Sequence, residues 1–152
     1  MSQEDDFFTV TIPAALSKLR SDSRPEWGSM DAAALLNHLT RGLDMSLNNQ
    51  DGEISVSADK LPGYRKFLMS DKPFGRNLRQ PAYFESSKYD GDFEELRRKL
   101  LGELKKTFDY LRSNQDHHAV HPSFGELNST EWLQLHRKHF HHHLYQFNLI
   151  HD

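Results

Sequence analysis

The chain has no cysteine among its 152 residues. Disulfides and thiolate metal sites are therefore excluded, and His, Asp and Glu are the strong metal ligands that remain. The absence also fits a reducing compartment. No stretch approaches the roughly 18 apolar residues of a membrane helix. The acidic opening Met1-Ser2-Gln3-Glu4-Asp5-Asp6 has no apolar run behind it, so it does not read as a signal peptide. The expectation is a cytoplasmic protein without membrane contact. A basic block is missing too, since the net charge is −3 with histidines neutral. Arg97-Arg98-Lys99 and Lys105-Lys106 alternate with Glu94, Glu95 and Glu103. That mixture reads as the solvated face of a helix and gives no reason to expect a nucleic-acid partner. Missing as well are His-Glu-x-x-His, paired Glu-x-x-His motifs, a phosphate loop, Gly-x-Ser-x-Gly and the Rossmann fingerprint. What is left is a chain long enough for a single domain, 1–152, with its own core.

The hydrophobic pattern is helical. Residues 1–11 read as a frayed lead, and Ile12 to Leu19 as a short helix that tolerates Pro13 in its first turn. Ser29 is placed to cap an Ala- and Leu-rich helix running to about Leu47. The segment 48–90 is irregular, broken by Pro62, Gly63, Pro73, Gly75 and Pro81, with a short helix from Tyr64 to Met69. So long a segment without major elements is expected to pack over a site or an end of the domain. Asp92 with Glu95 has capping-box spacing, and Phe93, Leu96, Leu100, Leu104, Phe108 and Leu111 step by three and four. Gln115 to Leu127 reads as a loop. Asn128 with Glu131 repeats the capping-box spacing and opens a helix expected to reach Ile150. Three long helices and a shorter one predict an all-α, up-and-down four-helix bundle, whose sites form from inward side chains of facing helices.

Histidine is what the chain has in abundance, with ten residues, several of them in the last helix. At about 100° per residue, Trp132, Leu135, His143, Gln146 and Ile150 fall within about 40° of His139. His136, His142 and Phe147 lie at the edges of that stripe. Arg137, Lys138 and His141 fall on the mostly polar remainder. His139 and His143, four apart, stack on one apolar face and are placed to close on one metal ion. A third ligand has to come from another helix. His38 sits beside Ala34, Leu35, Gly42 and Met45 and is the best candidate. Three imidazoles with an open position are the arrangement catalytic zinc uses. They also suit nickel, iron and copper, so the ligands do not name the metal. The plainer alternative is a set of hydrogen-bonded core histidines, because a buried unpaired imidazole is costly. His117 and His118 read as exposed loop residues. His121, held extended before Pro122, is close enough in sequence to the last helix to reach the open side of a site.

Several stretches together resemble the DinB/YfiT-like superfamily. They are Trp27-Gly28-Ser29-Met30, Leu36-Asn37-His38-Leu39, His121-Pro122-Ser123-Phe124-Gly125-Glu126-Leu127, Glu131-Trp132, and His139-x-x-His142-His143-Leu144-x-Gln146-Phe147. The likeness is greatest to a branch known as a domain of unknown function. It implies a four-helix bundle with one divalent metal near one end, held by His38, His139 and His143. Zinc or nickel come first, then iron or manganese. His142 belongs to the motif but lies on the stripe edge, as a supporting or packing residue. The activities the resemblance implies are metal-dependent hydrolysis, or transfer of low-molecular-weight thiols to electrophiles, on a small-molecule substrate.

Two functions follow as expectations. In the first, a metal-dependent enzyme, His136 and Gln146 orient the ligands while His121, His142 and Trp132 line the surroundings. In the second, a non-catalytic module binds a ligand or a second copy of the chain, and its histidines serve as polar core.

Overall fold

The computed structural model describes residues 3–76 and 91–151. Helix α1 (Gln3–Asp6) continues through a π-helical turn (Phe7–Thr11) into α2 (Ile12–Ser17). From Gln3 the expected frayed lead is helical, because Phe8 and Ile12 are core residues and hold it against the rest of the fold, and residues 1–2 lie outside the described residues. Helix α3 (Ala32–Asn48) is capped by Asp31, whose carboxylate accepts from the Ala34 N–H at 2.8 Å. The expected cap at Ser29 is displaced by two positions, since a carboxylate there satisfies a first-turn donor and complements the helix dipole.

Short helix α4 (Leu61–Leu68) is the helix found in the described part of the irregular segment, and residues 77–90 of that segment lie outside the described residues. Helix α5 (Phe93–Ser113) starts at Asp92, which accepts from the Glu95 N–H. Along its inner face run Leu100, Leu104, Thr107 and Leu111.

Gln115 to Leu127 is not simply a loop. Strands β1 (His118–His121) and β2 (Gly125–Asn128) pair antiparallel, with His118 opposite Asn128 and His121 opposite Gly125. The hairpin is pinned from outside. Asn49 and Val120 exchange two hydrogen bonds, at 2.9 and 2.8 Å, which tie the end of α3 to β1. Strands of four residues give too few alternations for period two to be read from sequence.

Helix α6 (Ser129–Gln146) opens with the full Asn128–Glu131 capping box. It ends four residues before the expected Ile150. Asn148 takes a left-handed conformation (φ 58°), the Leu149 N–H reaches the Leu144 carbonyl at 2.8 Å, and the Asn148 N–H reaches Tyr145. This is a Schellman closure with asparagine in the usual glycine position.

The described residues are therefore mostly helical, with one small two-stranded sheet. One core cluster runs through Phe8, Leu16, Leu36, Leu104, Phe140 and Leu144. A second joins the hairpin to α6 through Ala119, Phe124, Leu127 and Trp132. None of the described helices is long and apolar enough to cross a membrane.

Candidate metal centre

Between α3 and α6, the first cluster gives way to nitrogen. His38 and His143 are 6% and 5% exposed, and His139 is half-buried. One ring nitrogen from each lies within 4.8 Å of the other two. The rings meet edge to face, with centroids 4.6 to 4.7 Å apart. His38 Nε2 and His139 Nε2 are 2.7 Å apart. Two imidazole nitrogens at that distance either share one proton or face one cation, since two lone pairs would repel.

Backbone close packing makes the approach feasible. A Cβ built on Gly42 would stand 3.4 Å from both Cε1 and Nδ1 of His139. Gly42, one turn from His38, is where α3 packs against the ring of α6, and a Cβ there would stand at the near edge of ordinary van der Waals contact.

His143 has a defined tautomer. The Gln146 side-chain amide donates its Nε2–H to the Trp27 carbonyl at 2.8 Å, which turns Oε1 toward His143 Nδ1 at 2.7 Å. An amide oxygen only accepts, so Nδ1 carries the proton and the lone pair of His143 is on Nε2. Ligating histidines usually donate their second N–H in this way. The turn at Trp27-Gly28 is built around Gln146. The Glu26 N–H donates to the Gln146 main-chain carbonyl at 2.7 Å. Gly28 has φ +85°, and a Cβ there would stand 2.8 Å from Gln146 Nε2.

Burial keeps all three rings neutral. Desolvation, reinforced by the neighbouring histidines and Arg41, pushes His38 down to about 2. His139 and His143 are held well below the ordinary histidine range, again first by burial and then by charge, that of His38 on His139 and that of His139 on His143. Neutral imidazoles are the form that binds a metal. A tetrahedral ion with bonds of about 2.0–2.1 Å needs nitrogens roughly 3.3 Å apart. That spacing falls between the 2.7 Å contact and the 4.8 Å outer limit found here. The residues present fit a divalent ion with small adjustments of the rings.

The other predicted residues do not converge on this point. Trp132 is 1% exposed and donates Nε1–H to the Ala119 carbonyl at 3.1 Å, so it fastens α6 to the hairpin. His136 packs on Trp132, with centroids 5.6 Å apart, and its Nε2 is buried without a hydrogen-bond partner among the described residues. Burial, then the charge of His121, lowers it to about 3. His121 Nδ1 accepts from the Ser123 N–H at 3.0 Å, and its ring lies 4.9 Å from Phe124. Burial lowers it to about 4. His142 sits 5.7 Å from Trp27, 6.0 Å from Phe74 and 4.9 Å from the His143 ring. His118 is exposed, whereas His117 is half-buried with Nε2 2.6 Å from the Ser46 carbonyl. The half-buried ring of His141 stacks on Tyr145. Lys138, assigned by phase to the polar side, is 8% exposed, because α4 and the segment after it cover that side and the Lys72 carbonyl takes its ammonium.

Sequence reasoning missed the parts played by the Trp27 carbonyl, Gly28 and Gly42. The glycines were the available signal, one beside a tryptophan and one a helical turn from a candidate ligand.

These features define a mostly helical protein with a buried three-histidine centre between two helices. The profile of the family described as "Protein of unknown function (DUF1569)" matches residues 10–149, and the chain belongs to that family. No curated protein and no solved structure matches the chain.

Proposed function

We propose that the protein is a divalent-metal-dependent enzyme of the DinB/YfiT-like type, a hydrolase or a thiol transferase acting on a small molecule in the cytoplasm. On this reading the helices form a four-helix bundle, and His38, His139 and His143 hold one ion, zinc or nickel before iron or manganese. The observation that carries it is the convergence of three neutral imidazoles, each from a buried or half-buried side chain. A divalent ion bound there supplies a Lewis acid that acidifies a water or thiol at neutral pH. The chain's own part is to hold nitrogens in the right state. Gln146 keeps the Nδ1 proton on His143, the Trp27 carbonyl keeps Gln146 in place, and Gly42 admits His139. Among the described residues no carboxylate joins the grouped ligands, so a dication held by these three histidines would keep its charge for the substrate.

The 2.7 Å His38–His139 contact also suits a polar core in a non-catalytic module. A thermal-shift series with Zn²⁺, Ni²⁺, Mn²⁺ and Fe²⁺ separates the readings. An ion binding only the folded state stabilises it by about 2.7 kcal/mol at a hundred times its dissociation constant. The metal reading expects a rise in Tm that His143→Ala abolishes. Ester hydrolysis, or conjugation of a small thiol to chlorodinitrobenzene, should then depend on that ion. No Tm rise with any of the four ions would favour the polar-core reading.

A further inference from the structure

The opposite face of α6 carries a second feature that the three-histidine centre does not use. Arg137 lies two residues before His139 and so about 160° around the helix. There a cavity of about 610 Å³ opens between the N-terminal helical run, the end of α5 and α6. Its volume is in the range of small-molecule sites. Phe8, Phe108, Leu133 and Met69 give it an apolar wall, and Arg112 and Arg137 give it two guanidinium groups.

The two arginines differ. Arg112 is ion-paired with Asp5 and lies over the Phe108 ring. Arg137 donates from Nη2 to the neutral Gln134 Oε1 at 2.8 Å and has no carboxylate partner among the described residues. Its Nε–H is buried without an acceptor there. The Gln134 amide is itself fixed, because Nε2 donates to the Leu68 carbonyl at 3.0 Å, which leaves Oε1 for Arg137. The result is a preorganised, half-buried cation whose partner among the described residues is neutral, next to buried Lys138 and beside an apolar wall. Two guanidinium groups against one carboxylate leave one positive charge on the cavity lining.

We propose that this cavity binds a small monocarboxylate with an apolar body. The carboxylate pairs with Arg137, a geometry that suits planar guanidinium, and the body lies along Phe8, Phe108 and Leu133. The site does not rest on the metal reading and would stand if that reading fell.

The test titrates the full-length protein with octanoate, octanol and inorganic phosphate by calorimetry. Octanoate should bind saturably with one site per chain, octanol at least about tenfold more weakly, and phosphate not measurably. Arg137→Gln should lower octanoate affinity about tenfold or more, as loss of a charged hydrogen bond does. Should that variant fail to fold, Thr130→Trp fills the cavity from its exposed rim and should lower octanoate affinity similarly with Tm retained. The proposal is overturned if octanoate binds only near micelle-forming concentrations, if octanol binds equally well, or if whichever of the two variants folds binds octanoate like the wild type. Adding Zn²⁺ should leave the octanoate affinity unchanged, and a shift of tenfold would place the carboxylate at the histidines instead.

Discussion

The molecule contains two kinds of buried or half-buried histidine. His38, His139 and His143 turn ring nitrogens toward one another across α3 and α6. His121, His136 and His142 lie nearby but are set against aromatic rings, those of Phe124, Trp132 and Trp27. Burial depresses the proton affinity of both groups. A lowered pKa therefore does not mark the site. Convergence does, together with a second-nitrogen partner such as Gln146 that fixes which nitrogen carries the lone pair.

The largest expected effect is common to both groups, and substitution divides it. Histidines whose folded pKa lies below the unfolded value near 6.5 bind protons mainly when the chain unfolds. Their stabilisation is complete above that pH and is lost as pH falls toward the folded values of about 4 for His121, 3 for His136 and 2 for His38. Each such group costs about 1.4 kcal/mol per pH unit below roughly pH 6. Denaturant unfolding of the metal-free protein between pH 7 and 4.5 should show this steep decline. His136→Phe and His139→Phe should each make it shallower by about one proton, but only His139→Phe should abolish metal binding. Equal metal binding in both variants would erase the distinction between the groups.

Next in size is the link from Trp27 to His143. Gln146→Leu keeps the volume but cannot accept from Nδ1. Metal affinity should fall about 10- to 100-fold, the usual cost of losing such a partner, measured by competition with a chromogenic chelator. An unchanged affinity would mean that Gln146 only packs.

Smallest is Gly42→Ala. Alanine favours a helix interior by roughly 1 kcal/mol over glycine, so the metal-free Tm should hold or rise. The new Cβ, 3.4 Å from the His139 ring, should weaken metal binding several-fold. A variant less stable without metal and unchanged in affinity would assign Gly42 to packing rather than to the site.

Much of this was legible in the sequence, for identifiable reasons. Period 3.6 and two capping-box spacings placed α5 and the start of α6, because both signals are local. Phase along α6 separated His143 from His141, since facing is a property of spacing alone. The hairpin was missed because its strands are short and its order comes from Asn49, far away in sequence. Lys138 was misplaced because phase gives direction but not what lies in that direction, here α4 and Lys72. The α6 terminus was misjudged because the left-handed residue is Asn148 and no glycine marks it. The role of Gln146 became definite only with the Trp27 carbonyl in place, a partner 119 residues distant.

The central claim is that three histidines of α3 and α6 form one metal site while their aromatic-set neighbours do not. Metal analysis of the untagged protein, purified without a nickel column, tests it most directly. The account predicts about one equivalent of a divalent transition metal, retained in His142→Ala and reduced below a tenth in the His38→Ala/His139→Ala/His143→Ala variant. Less than a tenth of an equivalent in the wild type after zinc loading and desalting, or the same content in the triple variant, would contradict it.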